Sequence, residues 1–429
     1  MGSPYNTFSY YTFGCKVNFA DSSSIARELI HNGFTKVDIE DYPDLCLINT
    51  CSVTENADKK ACSLIRRINN KSPESKIIVF GCYAQLNPTE IEKIDGVFKV
   101  IGMENKFSIR NLLEDRDNNE IIHSSNINNV DDFEITYSKN ERVRSFLKIQ
   151  DGCDYNCSYC TIPLARGKSR STSIDNTINI IKDIVQDNCK EIVLSGINIG
   201  DFGINHSQTF KDLLLKLENI KNLKRYRISS IEPNLISEDI VEILANSKKA
   251  MPHFHIPLQS ASNRILCLMK RRYTKEQYLE TINMVKKHIS NACIGVDVIV
   301  GFPSETNQDF NETYQFIDSL NVSYLHVFTY SERKNTEAVK IFPKIIDEDK
   351  INRRKKLVTL SNLKNKFFKQ NNLGIPLSTL FESYDDGYLT GLTENYIKVK
   401  VKGPRLFLNQ IKDVMINDKN NTYNGVLID

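Results

Sequence analysis

The sequence predicts an α/β fold in three parts: an N-terminal open parallel β/α sheet, a central partial (β/α) barrel and a small C-terminal antiparallel β-barrel. Three observations predict it. Strand-sized apolar runs alternate with helical patterns to about residue 115; six more strand-like runs with helical crossovers follow from about 143; short alternating strands with Gly, Asn and Asp turns fill the end. At 429 residues the chain is too long for one compact core. The expected boundaries are 1–116 for the first domain, 117–142 for a linker, 143–345 for the barrel, 346–373 for a basic connecting helix and 374–429 for the terminal barrel.

In the first domain SYYTFGC precedes SSSIARELIHNGF, DLCLINTCSV precedes ENADKKACSLIRRINN, and KIIVFGC precedes further turns. Three of these strands end in a cysteine: Cys15, Cys51 and Cys82. Open parallel sheets bind ligands beyond the carboxyl ends of their strands, so three such residues can converge in one crevice. A strand-end cysteine can also simply pack, because cysteine is among the most buried residue types. Cys46 within its strand, Cys62 on a helix, and the isolated Cys189, Cys267 and Cys293 read as core or surface thiols.

The polar, Asn-rich run DNNEIIHSSNINNVDDFEITYSKNER has no clear period and reads as the linker. The barrel strands expected next are SFLKIQDGC, EIVLSGINIG, RYRISSIEP, HFHIPLQS, IGVDVIVGFPSE and SYLHVFTYS. Chemistry on such a fold belongs at the C-terminal ends of the strands. In KINRRKKLVTLSNLKNKFFKQNN, Lys350, Arg353, Arg354, Lys355, Lys356, Lys364, Lys366 and Lys369 have no acidic match in sequence, which reads either as a nucleic-acid footprint or as a solvated helix face. The terminal segment is not basic, with six Lys/Arg against seven Asp/Glu, so charge for an oligonucleotide would come mainly from that helix.

Hydrophobic content of 40% with 25% charged residues is ordinary for a soluble globular chain, and a net charge of +3 does not by itself argue for nucleic acid. No apolar run reaches the length of a membrane span, and MGSPYNTFSYYTFGCKVN lacks the pattern of a signal peptide. A cytoplasmic protein without a membrane partner is expected, its eleven cysteines mostly reduced and some free to bind metal.

The sharpest signal is GCDYNCSYC, which sets Cys153, Cys157 and Cys160 in a C-x3-C-x2-C pattern after the first barrel strand. Structural zinc needs four ligands, usually as two C-x2-C pairs, and no second pair follows; Cys189 and His206 stand singly. A [4Fe-4S] cube takes one thiolate per iron, so three cysteines leave one iron open for another ligand.

This C-x3-C-x-Tyr-C loop resembles the radical S-adenosylmethionine superfamily. GCKVN, NTC and GC in the first domain, then GCDYNCSYCTIPLARGKSRS, HIPLQS, MKRRYT and DVIVGFPSET, with a terminal barrel similar to the TRAM domain, resemble the methylthiotransferase family over nearly the whole chain. GCKVN with IPLARG is most similar to the branch that modifies threonylcarbamoyladenosine at position 37 of tRNA. The isopentenyladenosine and ribosomal-protein aspartate branches are less similar. Two departures stand out, Ala261 and Ser304 where the family commonly has Gly, and both would tighten a turn.

The resemblance implies two [4Fe-4S] clusters and S-adenosylmethionine as cofactors, and tRNA, a one-electron reductant and a sulfur donor as partners. Cys153, Cys157 and Cys160 would hold the cluster whose open iron binds S-adenosylmethionine and yields a 5′-deoxyadenosyl radical; Cys15, Cys51 and Cys82 would hold the cluster that carries the sulfur. Such a cofactor is required, because no side chain of ordinary pKa makes an adenine C2–H a useful proton donor. Tyr159 is expected near the cofactor's adenine, Ser195, Gly196 and Asn198 near its amino group, and Gln259 and Asp297 near ribose or carboxylate. Tyr159 reads equally as a core aromatic, Gln259 and Asp297 as satisfied barrel-mouth residues, and Arg166 and Arg170 as phosphate or carboxylate contacts or plain surface charge. An alternative of another class is an electron-transfer or RNA-binding protein that transfers no sulfur; a site-differentiated iron would serve no purpose there.

Overall fold

The computed structural model describes residues 5–114, 120–139, 141–419 and 422–428. The chain divides into two compact units, one of residues 1–139, 146–171 and 331–336, the other of 140–145, 172–330 and 337–429.

The first unit begins with β1 (Thr7–Thr12), α1 (Lys16–His31), β2 (Thr35–Lys36), β3 (Leu45–Thr50) and α2 (Glu55–Lys71). It continues with β4 (Lys76–Gly81), α3 (Cys82–Leu86), α4 (Pro88–Glu92), β5 (Val97–Ile101), α5 (Ile109–Glu114) and β6 (Ile122–His123). All six strands are parallel, in the order β2-β1-β3-β4-β5-β6. A parallel sheet covered on both faces needs apolar residues at every position of its central strands, which LCLINT and KIIVFG nearly supply. Leu45 and Leu47 pack with α1 and α5, while Cys46 and Ile48 pack with α2 to α4. Helix α2 starts where Thr54 Oγ1 accepts the Ala57 N–H, and it buries Ala61, Leu64, Ile65 and Ile68 at helical spacing. The register sets Thr12 beside Asn49 and Thr50 beside Gly81, so β1, β3 and β4 end level with one another.

The rest of this unit holds β7 (Thr136–Tyr137) antiparallel to β8 (Ser145–Lys148), and β9 (Gln150–Asp151) antiparallel to β10 (Arg170–Ser171) around α6 (Ile162–Arg166). The polar stretch expected as a linker therefore carries structure where it is described. Its short strands β6 and β7 need too few residues to show a period, and Thr136 Oγ1 ties it to Asp21 of α1 at 2.8 Å.

In the second unit α7 (Ile174–Gln186) leads to β11 (Glu191–Ser195), α8 (Phe210–Leu217), β12 (Arg225–Ile228), α9 (Glu238–Asn246) and β13 (His253–His255). Then come α10 (Asn263–Leu268), α11 (Lys275–His288), β14 (Cys293–Val300), α12 (Asn307–Ser319) and β15 (Tyr324–Thr329). Strands β11 and β12 are parallel, single bridges carry the pairing on to β13, and β13-β14-β15 continue parallel. A helix between each successive pair makes this an incomplete (β/α) barrel.

Helix α13 (Asp347–Gln370) follows, then a closed five-stranded barrel of β16 (Pro376–Asp385), β17 (Tyr388–Thr393), β18 (Lys398–Lys402), β19 (Ile411–Lys419) and β20 (Thr422–Leu427). Its core of Leu377, Phe381, Leu389, Val399, Val401, Val414 and Ile416 includes Phe368 from α13 and Cys293 from β14.

The basic residues of α13 are not all unmatched. Arg353 is buried and donates to the Glu305 carboxylate at 2.6 Å, Lys350 pairs with Asp347 at 3.0 Å, and Lys364 donates to the carbonyls of Asp318 and Leu320. Glu305 lies far from Arg353 in sequence, whereas Asp347 lies in the first turn of the helix that carries Lys350. Arg354, Lys355, Lys356 and Lys366 remain exposed.

Candidate metal and cofactor centres

Cys15, Cys51 and Cys82 follow the level ends of β1, β3 and β4. Cys15 caps α1 and Cys82 opens α3. Both follow a glycine of positive φ, 104° at Gly14 and 97° at Gly81, a turn that costs an L side chain strain and that redirects the strand so its cysteine faces its neighbours. A Cβ at Gly14 would lie 2.9 Å from Cys51 Cβ and 3.3 Å from its sulfur, so only glycine lets these two loops meet. Burial, then the neighbouring Cys82 thiol, push the Cys51 thiol up to about 12, and burial also raises Cys82. A metal must therefore displace these protons to bind. The Cys51 loop is held by Arg333, which donates to Ser52 Oγ at 2.8 Å and pairs with Asp58 at 2.5 Å.

Cys153, Cys157 and Cys160 lie on the loop between β9 and α6 of the same unit. Gly152 precedes them with φ 70°, where a Cβ would stand 1.9 Å from the Lys168 carbonyl. The N–H of Tyr155 donates to Cys153 Sγ and that of Ile162 to Cys160 Sγ, both at 3.4 Å. Backbone donors aimed at sulfur favour the thiolate that a metal needs. Among the described residues, neither triad brings three sulfurs within 4.8 Å of one another, as one zinc ion would require; a cube with one thiolate per iron spaces them more widely. Three sulfur donors at each site fit a [4Fe-4S] cluster that takes one thiolate per iron.

The reading of Arg166 as surface charge is overturned. Its guanidinium is 1% exposed and joins the cysteines to a buried charge network. Nε donates to Cys82 Sγ at 3.2 Å, Nη1 to Asp151 at 2.7 Å and Nη2 to Asn18 Oδ1. Asp151 lies near Lys106 and Lys148, and both lysines pair with Asp21 at 2.6 and 2.8 Å. Burial alone would raise Asp151, but Arg166 and the lysines hold it well below the usual carboxylate range. Burial pulls Lys106 down to about 8. Arg170 is buried too, but its guanidinium is spent on the carbonyls of Asp132, Arg166 and Lys168 rather than offered to a phosphate. Asp21, Lys106, Lys148 and Asp151 were not anticipated; the available signal was charge inside apolar patterns, as in SFLKIQD.

Tyr159, half-buried, lies between Cys157 and Cys160 on their loop. The remaining expected cofactor contacts are in the second unit. Ser195 ends β11 with its hydroxyl donating to the Val193 carbonyl at 3.1 Å, and Gly196 follows. Asn198 Nδ2 donates to Asp201 at 2.9 Å. Gln259 adopts φ 63°, bridges to Val298 of β14, and leaves a buried Oε1 without a partner. An orphaned acceptor on a strained residue suits a site awaiting a donor such as an amino or hydroxyl group. Asp297 is not a free carboxylate, since it is held by His255 Nε2 at 2.8 Å, with His326 of β15 in the same cluster; neither histidine was anticipated.

Three-cysteine loops in one unit and an incomplete (β/α) barrel in the other are features expected of a radical S-adenosylmethionine enzyme, and the comparisons with known proteins show that class. The profile of the Radical SAM superfamily matches residues 147–317, and that described as uncharacterized protein family UPF0004 matches residues 7–102. The chain is 36% identical over 403 residues to the threonylcarbamoyladenosine tRNA methylthiotransferase MtaB of Aquifex aeolicus, covering 92% of this chain and 96% of that one. It is 36% identical over 429 residues to MtaB of Bacillus subtilis, covering 97% and 95%. With a tRNA-2-methylthio-N(6)-dimethylallyladenosine synthase of Thermodesulfovibrio yellowstonii it shares 32% over 398 residues, 91% of each chain. Among solved structures, the radical S-adenosylmethionine methyltransferase TsrM of Kitasatospora setae superposes with a TM-score of 0.59 at 14% identity over 75% of this chain and 73% of that one, a likeness of fold alone. The chain belongs to the radical S-adenosylmethionine methylthiotransferase family and is an enzyme of that class. Its cofactors are S-adenosylmethionine and two [4Fe-4S] clusters. Among the described residues, no helix is long and apolar enough to cross a membrane.

Proposed function

We propose that this enzyme acts on tRNA and converts N6-threonylcarbamoyladenosine at position 37 to its 2-methylthio derivative. The observation that carries the reading is the pair of three-thiol sets in one compact unit, with positive-φ glycines directly before Cys15, Cys82 and Cys153. Relatives named for threonylcarbamoyladenosine at 36% identity favour this base over dimethylallyladenosine, named for a relative at 32%. Cys153, Cys157 and Cys160 hold the cluster that leaves an iron for S-adenosylmethionine, and Cys15, Cys51 and Cys82 hold the second. When bound, these groups supply the one-electron cleavage and the sulfur that no side chain can provide. The chain's own residues bind and orient. Tyr159 offers a ring face, Gln259 a hydrogen-bond acceptor, and Asp297 steadies His255. The exposed cations of α13 and the terminal barrel take the tRNA backbone.

Nucleoside mass spectrometry of tRNA from cells with and without this protein tests the reading. The 2-methylthio form of threonylcarbamoyladenosine should disappear without it and return on complementation. Loss of 2-methylthio-isopentenyladenosine instead would move the substrate to the other tRNA branch.

A further inference from the structure

The buried network of the first unit does not balance its own charge. Arg166, Lys106 and Lys148 contribute three cations and Asp21 and Asp151 two carboxylates, all of them buried. Arg170 adds a further buried cation beside them, and Glu134, nearer the solvent, faces Lys148 and Lys106, so four cations still meet only three carboxylates. An uncompensated interior charge costs several kcal/mol, so such a network is stabilised by an anion beside it. Besides Asp151 and Asn18, Arg166 touches the Cys82 sulfur, 3.2 Å from its Nε. An oxidised [4Fe-4S] core held by three thiolates is a net anion, and one electron makes it more negative.

We propose that Arg166 is the charge partner of the N-terminal cluster and holds its reduction potential up. The inference rests on the reading of Cys15, Cys51 and Cys82 as that cluster's ligands. Two effects act together. The Nε–H bond to sulfur withdraws electron density from a ligand thiolate, and the fixed positive charge stabilises the extra electron. Arginine suits this position because one planar fork serves the Cys82 sulfur, the Asp151 carboxylate and the Asn18 amide oxygen at once, which a lysine ammonium on a flexible stem cannot do in the same plane. Asp151 and Asn18 clamp the guanidinium, so it cannot turn away from the sulfur when the cluster changes charge. Arg166 is thus a positioning residue that acts through the cluster rather than on the substrate.

The test uses full-length protein with Cys153, Cys157 and Cys160 changed to Ala, which should retain one cluster of about four irons. In that background Arg166→Gln should keep its iron while the midpoint potential, followed by electron paramagnetic resonance, moves down. At a fixed potential the reduced-to-oxidised ratio should fall about tenfold, equal to about 59 mV for a one-electron couple. Arg166→Lys, which keeps charge but loses the fork, should move it less. An iron-loaded Arg166→Gln protein with an unmoved potential overturns the proposal. Should that variant fail to assemble, the unsubstituted Arg166 can be labelled with 15N: the reduced cluster should show a 15N hyperfine coupling, and its absence overturns the proposal equally. A Cys82→Ala change that left all four irons would instead remove the ligand reading beneath it.

Discussion

Ser304 holds φ 70°, a conformation in which a Cβ meets strain that glycine avoids, and its hydroxyl accepts from Arg264 Nη1 at 3.0 Å on an exposed side. Ala261, the other departure from the family's glycines, has no positive φ and is fully buried, so there the side chain fills space without strain, contrary to the tightening expected of both. Ser304→Gly should raise the unfolding free energy, read from denaturant titration, by about 0.5–1 kcal/mol after the lost surface hydrogen bond and the extra freedom of the unfolded chain are counted. Ala261→Gly should lower it. The same contrast separates what single residues disclose from what they conceal. Cysteine spacing marks Cys153, Cys157 and Cys160 because all three lie on one short loop. The role of Arg166 was hidden because its three acceptors come from α1, α3 and β9, which no stretch of sequence places together.

Helix α13 shows how packing divides a charged segment. Leu357, Leu360 and Phe368 turn inward, Ser361 accepts the Leu325 N–H at 2.8 Å, and Arg353 is drawn into the Glu305 pair, leaving Arg354, Lys355, Lys356 and Lys366 outside. Deleting everything after residue 345 would therefore uncover β14 and β15 as well as remove cations, and would confuse unfolding with lost recognition. Changing Arg354, Lys355 and Lys356 together to Ala avoids this. It should weaken tRNA binding and flatten the plot of log affinity against log salt by about two to three phosphate contacts, at roughly 0.7–0.9 each. Thermal stability should stay near that of the parent. An unchanged salt slope would assign recognition elsewhere. The strands and helices were legible because their periods run over many residues; β6 and β7 were not, being two residues each, and burial on α13 depended on partners far along the chain.

The six cysteines proposed as cluster ligands lie in one compact unit and most of the expected cofactor contacts in another, so metal content and chemistry can be separated experimentally. Anaerobically reconstituted protein should hold about eight irons, two cubes of four. Changing Cys153, Cys157 and Cys160 to Ala removes every thiolate on the β9–α6 loop but leaves the sheet and its strand ends intact, so about four irons should remain. That variant should form neither 5′-deoxyadenosine nor modified nucleoside. Changing Cys15, Cys51 and Cys82 to Ala leaves the Gly152 turn and the N–H donors at Cys153 and Cys160, since these are set by α6 and β9. It also leaves Arg166 without its sulfur partner, so this variant should be less stable than the other, with the surplus buried charge now unmatched. It should still release 5′-deoxyadenosine when reduced while making no methylthio product. Methylthiolated tRNA from it, under conditions where the parent is active, would reduce the N-terminal sheet to a scaffold. Equal stability of the two variants would show that the network finds its anion somewhere other than Cys82.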